Sequence, residues 1–241
     1  MTRSRRPGPG TLALGTPLAA VAYFLAAPVL PALPDGDATL LVAGGVGMLV
    51  VAATALALLP AQGTLVGPLL IVLGAALLVA ALNAAGVGAA ANAPEALLAG
   101  AIGLLFARWL ATPVIAVAVP IFVAAIDIWS VASGPTSQMV DSGTDGTDPL
   151  TFDMPAWGHT GSAGQLGLSD ALFLAMFAAW AWQYGFRRTA TVVGLLLGLV
   201  GSVALGELLD RTIPALPLLA AGYLLPNLDR IPALLRHADA Q

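Results

Sequence analysis

Apolar residues fill this chain in long runs separated by short polar breaks. The runs cover roughly 11–31, 38–60, 64–82, 92–109, 112–133, 166–186, 189–208 and 213–227. A helix that crosses a bilayer needs about 20 mostly apolar residues. Each run therefore predicts a spanning helix. The expected fold class is all-α: a polytopic membrane helix bundle of about eight transmembrane helices. The short last run and the weak break over 83–94 allow seven to nine. The first run follows Arg3, Arg5 and Arg6, as in a signal peptide. It is longer than the roughly 7–15 apolar residues of a signal h-region, so a spanning helix is expected there. The chain reads as a single integral membrane domain over 1–241, with N-terminal helices over 10–111. A second group over 112–227 encloses a polar loop, 134–165.

Composition agrees. The chain is 59% hydrophobic and 9% charged, whereas a soluble domain carries about 25% charged residues. There are no cysteines, and His159 and His237 are the only histidines. Thiolate and histidine-built metal sites are not expected, and no cofactor is implied. A net charge of −4 with no basic cluster beyond the N-terminal arginines argues against nucleic-acid binding. The partner that composition implies is the lipid bilayer.

Charge then predicts orientation. Under the eight-span reading, Arg3, Arg5, Arg6, Arg108, Arg187, Arg188, Arg230 and Arg236 all fall on one side. The other side carries Asp35, Asp37, Glu95, Asp141, Asp145, Asp148, Asp153, Glu207 and Asp210, with Arg211 as its base. Arginine excess marks the cytoplasmic face. A multi-pass cell-membrane protein is expected, with both termini cytoplasmic and the 134–165 loop outside. The segment from Leu150 to Trp157 is more apolar than the rest of that loop, and reads as an edge strand, a surface flap or a partly ordered linker. Trp180, Trp182 and Tyr184 fit an interfacial aromatic belt.

Two carboxylates break the apolar pattern: Asp127 in PVIAVAVPIFVAAIDIWSVAS and Asp170 in LGLSDALFLAMFAAWAW. An ionisable group there costs a few kcal/mol on insertion scales, which makes it a functional-site hypothesis. Counting along the two spans puts both roughly 6–9 Å below the same boundary. Asp170 also fits a helix N-cap, since a serine precedes it and apolar residues follow. Asp127 has no capping position and no arginine at its depth. Two such carboxylates facing each other share one proton, so that one acts as base and the other as acid.

The order of motifs resembles the presenilin and signal-peptide-peptidase family of intramembrane aspartyl proteases, the GxGD type. That family places one Asp in a helix, usually as Tyr-Asp, a second in the next helix as Gly-x-Gly-Asp, and Pro-Ala-Leu two helices later. Here these are Ile126-Asp127, then Gly167-Leu168-Ser169-Asp170, then Pro214-Ala215-Leu216. The resemblance covers about 105–227. Ile126 stands for the Tyr and Ser169 for the second Gly, and eight spans are counted where the family usually has nine. The resemblance implies a catalytic Asp127/Asp170 dyad without metal. It also implies substrate contacts from Gly167, Leu168, Ser169, Pro214, Ala215 and Leu216, with transmembrane peptide segments as substrates. Pro214 is expected to leave the backbone over 214–217 irregular, with carbonyls to offer an unwound substrate. An outside loop between the Asp helices resembles the signal-peptide-peptidase branch, which cuts segments with the N-terminus inside. Competing readings are a transporter or cation pathway using the two aspartates, a prepilin-type peptidase, and an inactive relative that binds membrane helices.

Overall fold

A computed structural model describes residues 9–33, 40–133, 151–158, 161–209 and 213–238. Nine α-helices lie among them: α1 (Pro9–Ala26), α2 (Gly45–Leu56), α3 (Val66–Ala84), α4 (Gly88–Trp109), α5 (Pro113–Ser133), α6 (Leu168–Gln183), α7 (Arg188–Leu209), α8 (Ala215–Leu224) and α9 (Ile231–Ala238). Helices α1 to α8 fall on the eight apolar runs in order. Among the described residues five stretches are long and apolar enough to cross a membrane: Leu41–Gly63, Val66–Ala84, Ala90–Trp109, Pro113–Ala132 and Arg188–Leu209.

The bundle is built around α6. Its residues from Leu174 to Ala181 are all buried, as expected of a helix apolar on every face. Helix α4 lies against α2, α3 and α6, and α8 lies against α5, α6 and α7. Small residues bring backbones close, the usual way helices associate without a hydrophobic drive in lipid. A Cβ on Gly100 would sit 2.9 Å from Ala55 Cα, one on Gly103 would meet the Leu172 carbonyl, and Gly194 of α7 faces Gly222 of α8 across a similar contact. Helices α3 and α5 are peripheral. Leu70, Leu73 and Leu77 of α3 and Ile121, Phe122 and Trp129 of α5 are exposed, as lipid-facing side chains would be.

The fold departs from all-α. Strands β1 (Thr151–Pro155) and β2 (Ser162–Gly167) form an antiparallel hairpin, with Phe152 opposite Leu166, Asp153 opposite Gln165, and a bulge between Asp153 and Pro155. The expected edge strand over 150–157 is thus β1, and its partner β2 occupies the polar stretch before α6. The alternating pattern holds: Phe152 and Met154 are buried while Asp153 is exposed. The part of the loop over 134–150, with Asp141, Asp145 and Asp148, lies outside the described residues, as do the N-terminal arginines, Asp35, Asp37, His159 and Arg211.

Two further expectations change. The break at 83–94 narrows to a turn at 85–87 in which Gly86 takes φ +73°. Helix α4 therefore begins two turns before Glu95, which is half-buried inside the helix and not at its outer end. Trp180 is fully buried and donates its Nε1–H to the Ala107 carbonyl at 3.0 Å, so it belongs to the core and not to an aromatic belt.

Contacts gather arginines at one end of the bundle. The Trp180–Ala107 bond brings the end of α4, with Arg108, level with the end of α6. Arg187, between α6 and α7, forms a two-pronged ion pair with Asp229, with contacts of 2.6 and 2.9 Å. Arg230 reaches the Gly185 carbonyl. Buried Asn227 accepts from the Arg187 N–H and donates to Thr191 Oγ1 and the Tyr223 carbonyl.

Candidate functional site

Measured from the arginine end, Asp127, Asp170 and Leu216 come to nearly the same height. At 1.5 Å per residue, Asp127 lies about 21 Å along α5 and Asp170 about 20 Å back along α6 from Gln183. Leu216 lies about 17 Å from Asn227, through α8 and its terminal turn. A hydrocarbon core is about 30 Å thick. All three would lie roughly 10 Å below the opposite boundary. Helices α6 and α8 have 16 and 10 residues. They are short because each begins level with Asp127 and not at the far end of the bundle.

The chain starts both helices from extended backbone. Gly167 precedes α6 with φ −64° and ψ 138°, and Pro214 precedes α8 with φ −63° and ψ 133°. Proline suits a helix start because it has no N–H to satisfy. Non-helical backbone at membrane depth is tolerated only where protein covers it or where it lines a water-filled cavity. Two non-helical segments meet here.

The carboxylates answer the unsatisfied N–H groups of the two helix starts. The Leu216 N–H, in the first turn of α8, donates to Asp127 Oδ2 at 3.0 Å. Asp170, in the first turn of α6, accepts from the Gly167 N–H and lies close enough to Asp127 for their charges to interact. The second contact is the return half of a capping box. Each carboxylate therefore sits at the positive end of a helix dipole, where negative charge is favoured. Gly167 has no room for a side chain, because a Cβ there would stand 3.0 Å from Asp170 Oδ2 and 3.3 Å from Ser169 Oγ. Both aspartates are half-buried, and Ser169 is exposed.

The candidate site residues fall in one place, with two corrections. First, Asp127 does cap a helix, though not its own: it caps α8 across the bundle. Second, among the described residues the irregular backbone before α8 is 213–214, and Ala215 and Leu216 already belong to the helix. What Pro214-Ala215-Leu216 brings to Asp127 is an N–H donor, not carbonyl acceptors. Helices α5 and α6 themselves touch only lightly; α8 lies against both and joins them. Trp129, two residues from Asp127, is 61% exposed and does not wall the site.

Three contacts hold the hairpin beside the dyad. Asn92 of α4, 4% exposed, donates Nδ2–H to the Asp153 carbonyl at 2.7 Å. Trp157 Nε1–H donates to Tyr23 Oη at 3.2 Å, and the Tyr23 hydroxyl donates to the Ala43 carbonyl at 3.3 Å. The Gly158 N–H donates to the Ala27 carbonyl, with φ +79° placing that glycine against Ala32. Asn92 was missed in the sequence. Its signal was a polar amide in an Ala-rich apolar stretch, the same signal that marked the aspartates.

Among the described residues no group of three or more His, Cys, Asp or Glu side chains is placed to hold a metal ion. No protein-family model matches the chain, and no curated protein matches it in sequence.

Proposed function

We propose that the protein is an intramembrane aspartyl protease that hydrolyses peptide bonds in transmembrane segments through Asp127 and Asp170. One observation carries this reading: two interacting carboxylates sit at one depth, each bonded to a backbone N–H where a helix begins. Ordinary helix caps lie at the surface. A matched pair about 10 Å inside the membrane needs water beside it, and hydrolysis uses water.

Hydrolysis follows from the pair. The ionised carboxylate takes a proton from a water whose oxygen forms a bond to the peptide carbonyl carbon. The protonated partner gives its proton to the carbonyl oxygen. In the resulting gem-diol, the first carboxylate passes its proton to the amide nitrogen. The C–N bond breaks as the second carboxylate recovers its proton from a hydroxyl. The dyad returns to its starting state, and general acid–base assistance of this kind contributes about 10²–10⁴-fold.

The hairpin suits a helix that must unwind to be cut. An unwound segment needs partners for its freed backbone groups, and strand addition supplies them. Asn92 and α4 cover part of β1. Strand β2 runs directly into the turn of Asp170, so a segment laid along Gln165–Gly167 would arrive beside the dyad. We place the arginine end in the cytoplasm, with eight spans. The favoured substrates are then anchors and signal-peptide remnants with the N-terminus inside.

The test is cleavage of a purified single-helix membrane peptide in detergent by the parent, Asp127→Asn and Asp170→Asn. Cutting by the parent alone supports the reading. Equal cutting by all three ends it.

A further inference from the structure

The arginine end carries more charge than its internal contacts use. Arg187 is neutralised by Asp229, and Arg230 bonds the Gly185 carbonyl and lies near enough to the same aspartate to interact with its charge. Arg108, Arg188 and Arg236 remain exposed, and none forms an ion pair among the described residues. Arg188 lies 5.2 Å over the Trp182 ring. Arg236 bonds only back to the Pro232 carbonyl of its own helix. Asp229 is the one described carboxylate in these contacts, and it is already paired.

Helix α9 adds the shape of a membrane-surface element. Ile231, Leu234 and Leu235, spaced i, i+3, i+4, are half-buried, while Pro232, Ala233 and Arg236 are exposed. Ile231 and Leu234 pack on the core, and α9 lies against α5. Its exposed side, with Arg236, faces away from the bundle. Trp109, beside Arg108, is 84% exposed at the end of α4, the depth at which tryptophan anchors in headgroups.

We propose that Arg108, Arg188 and Arg236 form a binding surface for anionic phospholipid headgroups. The guanidinium fork pairs with a phosphodiester through two parallel hydrogen bonds, a geometry lysine does not offer. The occupant is lipid and not soluble phosphate because Arg108 and Arg188 stand at the ends of two long apolar helices, whose exposed sides acyl chains must contact. This surface is at the far end of the bundle from the aspartates and does not depend on the peptidase reading.

The test uses the full chain in bilayers of phosphatidylcholine, with trace spin-labelled phosphatidylglycerol or phosphatidylcholine. The immobilised fraction of each label reads relative association. The parent should prefer phosphatidylglycerol on the order of fivefold, the effect of about one engaged arginine, and lose part of that preference in high salt. The triple variant Arg108→Gln, Arg188→Gln, Arg236→Gln should lower the ratio by at least about twofold. Arg236→Lys reports on fork geometry and should keep charge but lose part of the preference. Equal association in the parent, or an unchanged preference in a folded triple variant, overturns the proposal. Displacement of the lipid label by inorganic phosphate, where chloride of equal ionic strength has no effect, would assign the arginines to soluble phosphate and also overturn it. If the triple variant fails to fold, the three single variants carry the test, each expected to lower the ratio.

Discussion

The Leu216 N–H donates to Asp127 Oδ2 at 3.0 Å, tying the first turn of α8 to the middle of α5. This bond fastens a peripheral helix to the bundle at the height of the second aspartate. It also gives Asp127 two separable roles, as acceptor and as proton carrier.

Those roles come apart by substitution. Asp127→Asn keeps a carbonyl oxygen for Leu216, so thermal stability in detergent should stay near the parent while cleavage falls by about 10²–10⁴-fold. Asp127→Ala leaves the N–H without a partner and should lower stability as well, by about 1–3 kcal/mol. Equal stability of the two variants would show that the bond contributes nothing.

Gly167→Ala tests the approach of Asp170. The new Cβ would stand 3.0 Å from Oδ2. The carboxylate is the movable end, so the fold should survive while the group is displaced. A misplacement of about 1 Å costs on the order of 10²-fold. The loss should appear in kcat more than in KM. A fully active Gly167→Ala would place the working geometry of Asp170 away from Gly167.

Gly222→Val tests whether α8 is held by its close approach to α7. Cβ atoms at Gly194 or Gly222 would meet the facing backbone. Overpacking of this kind costs about 1–3 kcal/mol. Melting in detergent should fall, and amide exchange at Leu216 should quicken as its bond to Asp127 loosens. Gly201→Ala is the control, since nothing lies within 4 Å of a Cβ there, and its melting temperature should match the parent's.

The Arg187–Asp229 pair sets a pH dependence at the arginine end. Its hydrogen bonds to Arg187 hold the Asp229 carboxyl below the usual carboxylate range. A depressed carboxylate contributes stability above its unfolded pKa and loses it as pH falls through the folded value. The parent's melting temperature should therefore drop slightly more than that of Asp229→Asn on acidification through and below the ordinary carboxylate range. Both groups are largely exposed, so the difference is small. Parallel melting curves for the two proteins would show that the pair is fully screened.

The membrane class, the order of the helices and the two aspartates were legible in the sequence, because each rests on local information. Twenty apolar residues need a bilayer wherever they fall, and a carboxylate among them is conspicuous without neighbours. The matching height of the two aspartates was legible too, since it follows from counting along the helices. What only the tertiary structure decided depends on segments distant in the chain. The β1–β2 hairpin pairs residues through the bulge at Asp153/Pro155, and Asn92 reaches it from α4. Pro214 announced a helix break, but its consequence, an N–H aimed at Asp127, required α8 to pack between α5 and α6. Glu95 and Trp180 were misjudged for the same reason: hydropathy marks what leaves water, while packing decides what each residue meets there.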